Sequence, residues 1–251
     1  GVEYVLNEVT TAVGAKQAIA SAMMVIAGPG DEVLLPIPCW VSYTEMIRLA
    51  GATPVFVPVR EDNYELDLDA IEQAITPRTK LLIFPFPNNP TGAIMEKKDL
   101  EEIAEVILEK DLFVISDEIY SELTYKADHV SIASIPGMQE RTILINGFSK
   151  SYAMTGWRLG YACGPKIIIE QMLKIHQFAI MCAPTTSQYA AVEALRNGDD
   201  DVVEMREAYN QRRRYLMYAF KEMGLPCFEP YGAFYVFPCI CLLYTSDAAD
   251  D

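Results

Sequence analysis

Basic residues are scarce in this sequence. Its 251 residues include 20 Lys and Arg against 35 Asp and Glu, a formal charge of −15. That deficit argues against a nucleic-acid partner, whose phosphates are bound largely through Lys and Arg. It argues equally against an anionic membrane surface. No apolar run reaches the roughly 18–20 residues of a membrane span. The opening "GVEYVLNEVT" has neither the layout of a signal peptide nor an initiator Met, which leads to the expectation of a piece of a longer chain. Paired cysteine spacings are missing too. Cys39, Cys163, Cys182, Cys227, Cys239 and Cys241 are scattered, and the C-x-C pair at the end has no second Cys or His pair to complete a metal site. They read as reduced thiols of a cytoplasmic protein. The two histidines, His129 and His176, lie far apart with no evident partner and read as structural or surface residues.

What is present is an ordinary globular composition. Half of the residues are hydrophobic (51%), enough for a large core in a chain near the size at which domains divide. Strand-like and helix-like segments alternate. "EVTTAV" leads into "GAKQAIASAMMVIA", whose apolar residues recur at helical spacing. "EVLLPIP" is strand-like, and "WVSYTEMIRLAG" reads as a helix closed by Gly51. "TPVFVPV" is a short strand, and "DLDAIEQAI" a helix with acidic residues in its first turn, where they suit the helix dipole. "KLLIFPFP" reads as a buried strand, "EKKDLEEIAEVILEKD" as an amphipathic helix, and "LFVISD" and "TILIN" as two further strands. Continuous apolar strands separated by helices predict an α/β fold, a mainly parallel sheet covered by helices on both faces.

In such sheets ligands bind beyond the carboxyl ends of the strands. Three strand ends there carry chemistry: "PNNPTG" after "KLLIFPF", "DEIY" after "LFVIS", and "GFSK" after "TILIN". Each has a bland reading as a turn, a helix cap or a solvated lysine. An amide, a carboxylate with a phenol and an amine at corresponding positions of one sheet are a different matter. A lysine amine condenses with an aldehyde, and pyridoxal 5'-phosphate is an aldehyde whose ring withdraws electrons only while its nitrogen is protonated, the task of a neighbouring Asp. Its phosphate calls for N–H groups at a helix start and a guanidinium. Gly14, Ala15 and Lys16 open the first helix directly after a strand, and Arg158 offers a bidentate partner that Lys does not. Trp40 is placed to cover the ring.

"NNPTG", "SDEIY" and "NGFSKSYAMTGWRLGY" resemble the class I/II pyridoxal-phosphate-dependent aminotransferases of the aspartate aminotransferase superfamily. "TAVGAKQAI", "PGDEVLLPIPCWVSY" and "GAFYVFP" agree with it in order and spacing, so the resemblance runs from about residue 5 to residue 238. It implies a Schiff-base lysine at Lys150, which also moves the proton at the substrate Cα. It implies that Asp117 pairs with the ring nitrogen, and that Tyr120 and Asn89 meet the ring's 3-oxygen. Asn89 also reaches the substrate carboxylate, and Trp40 stacks on the ring at the substrate side. Ala15 and Lys16, mainly through backbone N–H, hold the phosphate with Arg158 and the Ser149 hydroxyl. Met154 and Trp157 are expected to pack their loop, Tyr43 to be a core or interface residue, and "QRRRY" at 211–215 to be a solvated helix face.

The resemblance further implies an amino-acid and 2-oxo-acid substrate pair and a homodimer. It divides the chain into a cofactor-binding large domain (1–200), a linking helix with the start of a small α/β domain (201–240) and a non-family tail (241–251). It leads to the expectation that family segments flanking this stretch are absent, among them the arginine that clamps the substrate carboxylate, and it leaves the activity of this chain alone open. Two alternatives stay open: a C–S lyase or decarboxylase on the same fold, and a non-catalytic aminotransferase-like sensor. Retention of Lys150, Asp117 and Tyr120 together favours chemistry.

Overall fold

The computed structural model describes residues 1–241. Of the expected tail (241–251), residues 242–251 lie outside the described residues. In chain order the elements are β1 (Val9–Ala12), α1 (Ala15–Ile26), β2 (Glu32–Ile37), α2 (Ser42–Leu49), β3 (Thr53–Pro58), α3 (Leu68–Ala74), β4 (Thr79–Phe84), α4 (Lys97–Glu109) and β5 (Phe113–Asp117). They continue with β6 (Thr142–Gly147), α5 (Phe148–Ser151), β7 (Gly160–Cys163), α6 (Lys166–Ile180), α7 (Thr185–Asn197) and α8 (Asp199–Glu222).

The strands form one seven-stranded sheet in the order β1-β7-β6-β5-β4-β2-β3. Pairs from β6 to β3 are parallel, while β7 runs antiparallel to both β6 and β1. The mainly parallel sheet is therefore as expected, but β7 is an addition. Its four residues sit inside the "WRLGYACG" stretch, which carries too short an apolar run to announce a strand.

Both faces of the sheet are buried, which is why its strands read as unbroken apolar runs rather than alternating ones. Val33, Leu35, Leu81, Ile83, Ile115 and Ile143 face α1, α2 and α6. Their neighbours Leu34, Leu82, Phe84 and Val114 face α3 and α4 on the other side. Burying each such side chain contributes about 1.5–3 kcal/mol relative to leaving it exposed. Truncating the fully buried Leu82 to Ala should cost about 2–5 kcal/mol.

Local signals set several boundaries. Asp67 caps α3, its carboxylate accepting from Ala70 N–H at 3.1 Å, where the acidic first turn was expected to help. Gly51, with φ +85°, takes the left-handed turn just past α2. Among the described residues no helix is long and apolar enough to cross a membrane.

Candidate active site

A cavity of about 770 Å³, counting its open mouth, lies beyond the carboxyl ends of β4, β5 and β6. Ala15, Lys16, Trp40, Asn89, Asp117, Tyr120, Ser149, Lys150 and Arg158 all line it. The structure thus brings together every site residue named from the sequence.

The carboxylate comes from the last residue of β5. Asp117 is buried, accepting from the Tyr43 hydroxyl at 2.7 Å and from Ile119 N–H at 3.2 Å. Burial pushes its proton affinity up, to a pKa of about 6, although those two hydrogen bonds favour the ionised form. The neighbouring Glu118 pushes the same way as burial, and Lys150 opposes.

The amine comes from the short helix after β6. Gly147 precedes it and presses against β7: a Cβ there would lie 2.9 Å from Gly160 Cα and 3.1 Å from Leu159 O. That close approach turns the chain so that Lys150 stands over the strand ends. Its Nζ lies 5.1 Å from the Phe234 ring centre and 5.8 Å from that of Tyr120. Burial among these rings lowers its pKa, Arg158 lowers it further, and Asp117 works against both.

The third strand end is held by its own side chains. Asn88 Oδ1 accepts from Thr91 N–H at 3.1 Å and from the Thr91 hydroxyl at 2.9 Å, and Gly92 (φ +75°) closes the turn. This leaves Asn89 at the cavity, where its Nδ2 donates to the Tyr235 hydroxyl at 3.3 Å. Tyr120 and Tyr235 share a hydroxyl hydrogen bond of 2.6 Å. Burial above all holds the Tyr120 phenol protonated well beyond the ordinary range.

The far end is a helix start. Gly14, with φ +79°, precedes α1, and the Arg158 guanidinium lies so near it that a Cβ at Gly14 would collide. Arg158 takes a left-handed conformation (φ 52°), and its Nη1 donates to Thr155 O at 2.7 Å. First-turn N–H groups with positive dipole character thus stand beside a guanidinium. Lys16 Nζ lies 4.8 Å from the Trp40 ring centre, and Trp40 meets Tyr43 edge to face at 5.3 Å.

Several readings need correction or extension. Tyr43 is buried in the core as expected, yet its hydroxyl is also the phenol on Asp117. His129 does have a partner: its Nε2 lies 2.8 Å from a Glu118 oxygen, while His176 Nδ1 lies 3.1 Å from Gln17 Oε1. Met154 packs with Phe148 and Leu159, but Trp157 is about half exposed (48%). Within "QRRRY", Arg213 is tucked against Tyr125 and Tyr231 and pairs with Glu229 at 2.8 Å. Tyr235 and Thr155 line the cavity without having been singled out.

The chemistry of this donor set suits pyridoxal phosphate. A buried carboxylate holding only a phenol and one amide faces the cavity, as a protonated ring nitrogen requires. An amine with lowered proton affinity stands across from it, and the cradle at Gly14 admits no side chain.

The family model described as aminotransferase class I and II matches residues 1–248. The chain belongs to the class I and II aminotransferases. Members of that family depend on pyridoxal 5'-phosphate. Over 238 residues the chain is 48% identical to an aspartate aminotransferase of Pyrococcus abyssi, covering 93% of this chain and 61% of the relative. It is 45% identical to aromatic-amino-acid aminotransferase 2 of Thermococcus litoralis, again covering 93% and 61%. Among solved structures, an aspartate aminotransferase variant of Thermus thermophilus superposes with a TM-score of 0.93 at 41% identity, covering 97% of this chain and 64% of that one. The chain therefore spans about 61% of the length of these curated aminotransferases.

Proposed function

We propose that the protein moves an amino group between an L-amino acid and a 2-oxo acid, with pyridoxal 5'-phosphate as cofactor. The observation that carries this reading is the meeting of Lys150, Asp117 and Asn89, from three neighbouring strand ends, in one cavity that Arg158 closes. When bound, the cofactor supplies an aldehyde carbon for an amine and a cationic ring that draws electrons from the substrate Cα. Arg158, the N–H groups of Ala15 and Lys16, and the Ser149 hydroxyl hold its phosphate. Asp117 keeps the proton on the ring nitrogen. Tyr120 and Asn89 donate to the 3-oxygen, Asn89 also meets the substrate carboxylate, and Trp40 covers the ring at the substrate side. Lys150 Nζ would be the amine that holds the cofactor aldehyde and the base that would move the proton at the substrate Cα. Its lowered proton affinity favours the neutral amine that a base must be.

Residues 1–200 are assigned to the cofactor-binding domain and 201–240 to the linking helix and the start of a second domain. The working form is a cytoplasmic homodimer. Phe178, Met181 and Tyr189 on and between α6 and α7 are 91%, 79% and 76% exposed, an apolar surface suited to a two-fold partner. Borohydride reduction of the cofactor-loaded protein followed by peptide mapping should label Lys150, and a panel of amino acids should change the cofactor spectrum. A label elsewhere, or a spectrum indifferent to every amino acid, rejects the reading.

A further inference from the structure

The chain after α8 reaches the site through a seam of glycines. Gly232 N–H donates to Gly92 O at 2.8 Å, Ala233 N–H to Leu123 O at 2.9 Å, and Tyr125 N–H to Tyr231 O at 2.9 Å. Residues 231–233 are thereby tied to the turns that follow both β4 and β5. The seam excludes side chains: a Cβ at Gly92 would lie 2.9 Å from Gly232 O, and one at Gly232 would lie 2.8 Å from Ile94 Cγ2. The backbone approach is fixed, and Tyr235 is delivered to the cavity wall beside Tyr120.

Two hydrogen bonds meet there: the one from Asn89 has a fixed direction, and the one between Tyr120 and Tyr235 can run either way. Asn89 Nδ2 is only a donor, so the Tyr235 oxygen accepts from it at 3.3 Å. The single Tyr235 hydroxyl proton is then available to the Tyr120 oxygen, 2.6 Å away. With Tyr235 donating, Tyr120 has its own proton left for the cavity that it lines. Chains of this kind also polarise one another. Asn89 keeps a second Nδ2 proton for its own role.

We infer that Tyr235 is a positioning residue for the transamination proposed above: it accepts from Asn89, donates to Tyr120, and so commits the Tyr120 proton to the cofactor's 3-oxygen. This rests on the reading of the site as a pyridoxal phosphate site. Donation onto that oxygen withdraws charge from it and loosens the proton held beside it at Lys150 Nζ. Weaker donation tightens that proton.

Tyr235→Phe keeps the ring and its packing but breaks the relay. In the loaded protein the pH midpoint of the visible absorption change should move to the alkaline side, a roughly threefold gain in proton affinity. Tyr120→Phe should move it further in the same direction, and the double variant should match Tyr120→Phe, since Tyr235 acts only through Tyr120. An unmoved midpoint in Tyr235→Phe, or a double variant displaced beyond Tyr120→Phe, overturns the relay. If the unmodified protein takes up no cofactor, the reading of the site fails instead, and the cofactor-free protein decides the relay. There the carbon-13 Cζ resonance of Tyr120, identified by its loss in Tyr120→Phe, should shift in Tyr235→Phe. A resonance that stays in place overturns the inference.

Discussion

Asp117 and Glu118 are neighbours at the end of β5, both carboxylates, and 5% and 3% exposed. Carboxylates are almost never buried so deeply without partners, and the two solve that problem differently. Glu118 accepts from the Ser116 hydroxyl at 3.0 Å and the Ser131 hydroxyl at 2.6 Å, with His129 at 2.8 Å. Its partners are all protein. Asp117 has one phenol and one amide, and it faces the cavity. Glu118 is tied to side chains of the fold; Asp117 turns to the cavity. Burial alone does not mark a functional acid.

This contrast can be broken by exchanging which carboxylate is lost. The largest effect should come from Asp117→Asn in the loaded protein. Turnover should fall on the order of 10³-fold, the size of a lost electrostatic or proton-transfer contribution, with cofactor still bound. Near-normal turnover would place Asp117 with Glu118 as a structural acid.

Glu118→Ala should do the opposite. It strands His129 and two hydroxyls, so denaturant unfolding should show a loss of about 1–3 kcal/mol, the cost of leaving buried polar groups without a partner. The cofactor spectrum of the folded protein should be unchanged. A stable variant with an altered spectrum would erase the distinction.

The pH dependence of the cofactor-free protein sharpens it. An acid whose folded pKa lies above its unfolded value holds its proton more tightly in the folded chain, so its ionisation destabilises the fold. For Asp117 that loss sets in as pH rises past 3.8 and is complete above about 6. Asp117→Asn should therefore be more stable than the unmodified protein well above pH 6, by roughly 2–3 kcal/mol, and the gap should close below pH 3.8. Melting curves across that range check both sign and window.

The smallest effect belongs to Tyr43→Phe, which removes one of the two donors on Asp117. Turnover should drop about fivefold, the worth of roughly one hydrogen bond. A drop as large as that of Asp117→Asn would mean that Tyr43 has a direct role.

Much of this was legible in the residues because it is local. "KLLIFPF" and "LFVISD" announce buried parallel strands through continuous apolar runs, and the strand ends lie where those runs stop. That position brings up an amide, Asp117 and Lys150, and the resemblance picks Asn89 out of "PNNPTG". Tyr43 and Tyr235 do not follow from it. The Tyr43 hydroxyl meets a carboxylate 74 positions away, and Tyr235 meets Tyr120 across 115 positions. No periodicity encodes such pairings. Tyr43 lies three positions past Trp40, a weak hint that the two share a side of the chain. Tyr235 stood within the quoted "GAFYVFP" without a hint of its target. The strand β7 was hidden for another reason: four residues flanked by glycines have no run to read.

The register of β1 on β7 carries a consequence for how the molecule comes together. Ala12 lies opposite Gly160, and a Cβ at Gly160 would lie 2.7 Å from Ala15 N and 2.8 Å from Gly14 C. The first strand and the end of the lysine segment are thus joined by a pairing that encloses most of the sheet. Such distant pairings form late, since a long loop must close before they repay it. The same closure brings Gly14 to Arg158. Capacity to hold a phosphate should therefore emerge abruptly during refolding, at the step that seats β1, while the parallel strands from β2 to β6 assemble beforehand from nearer neighbours.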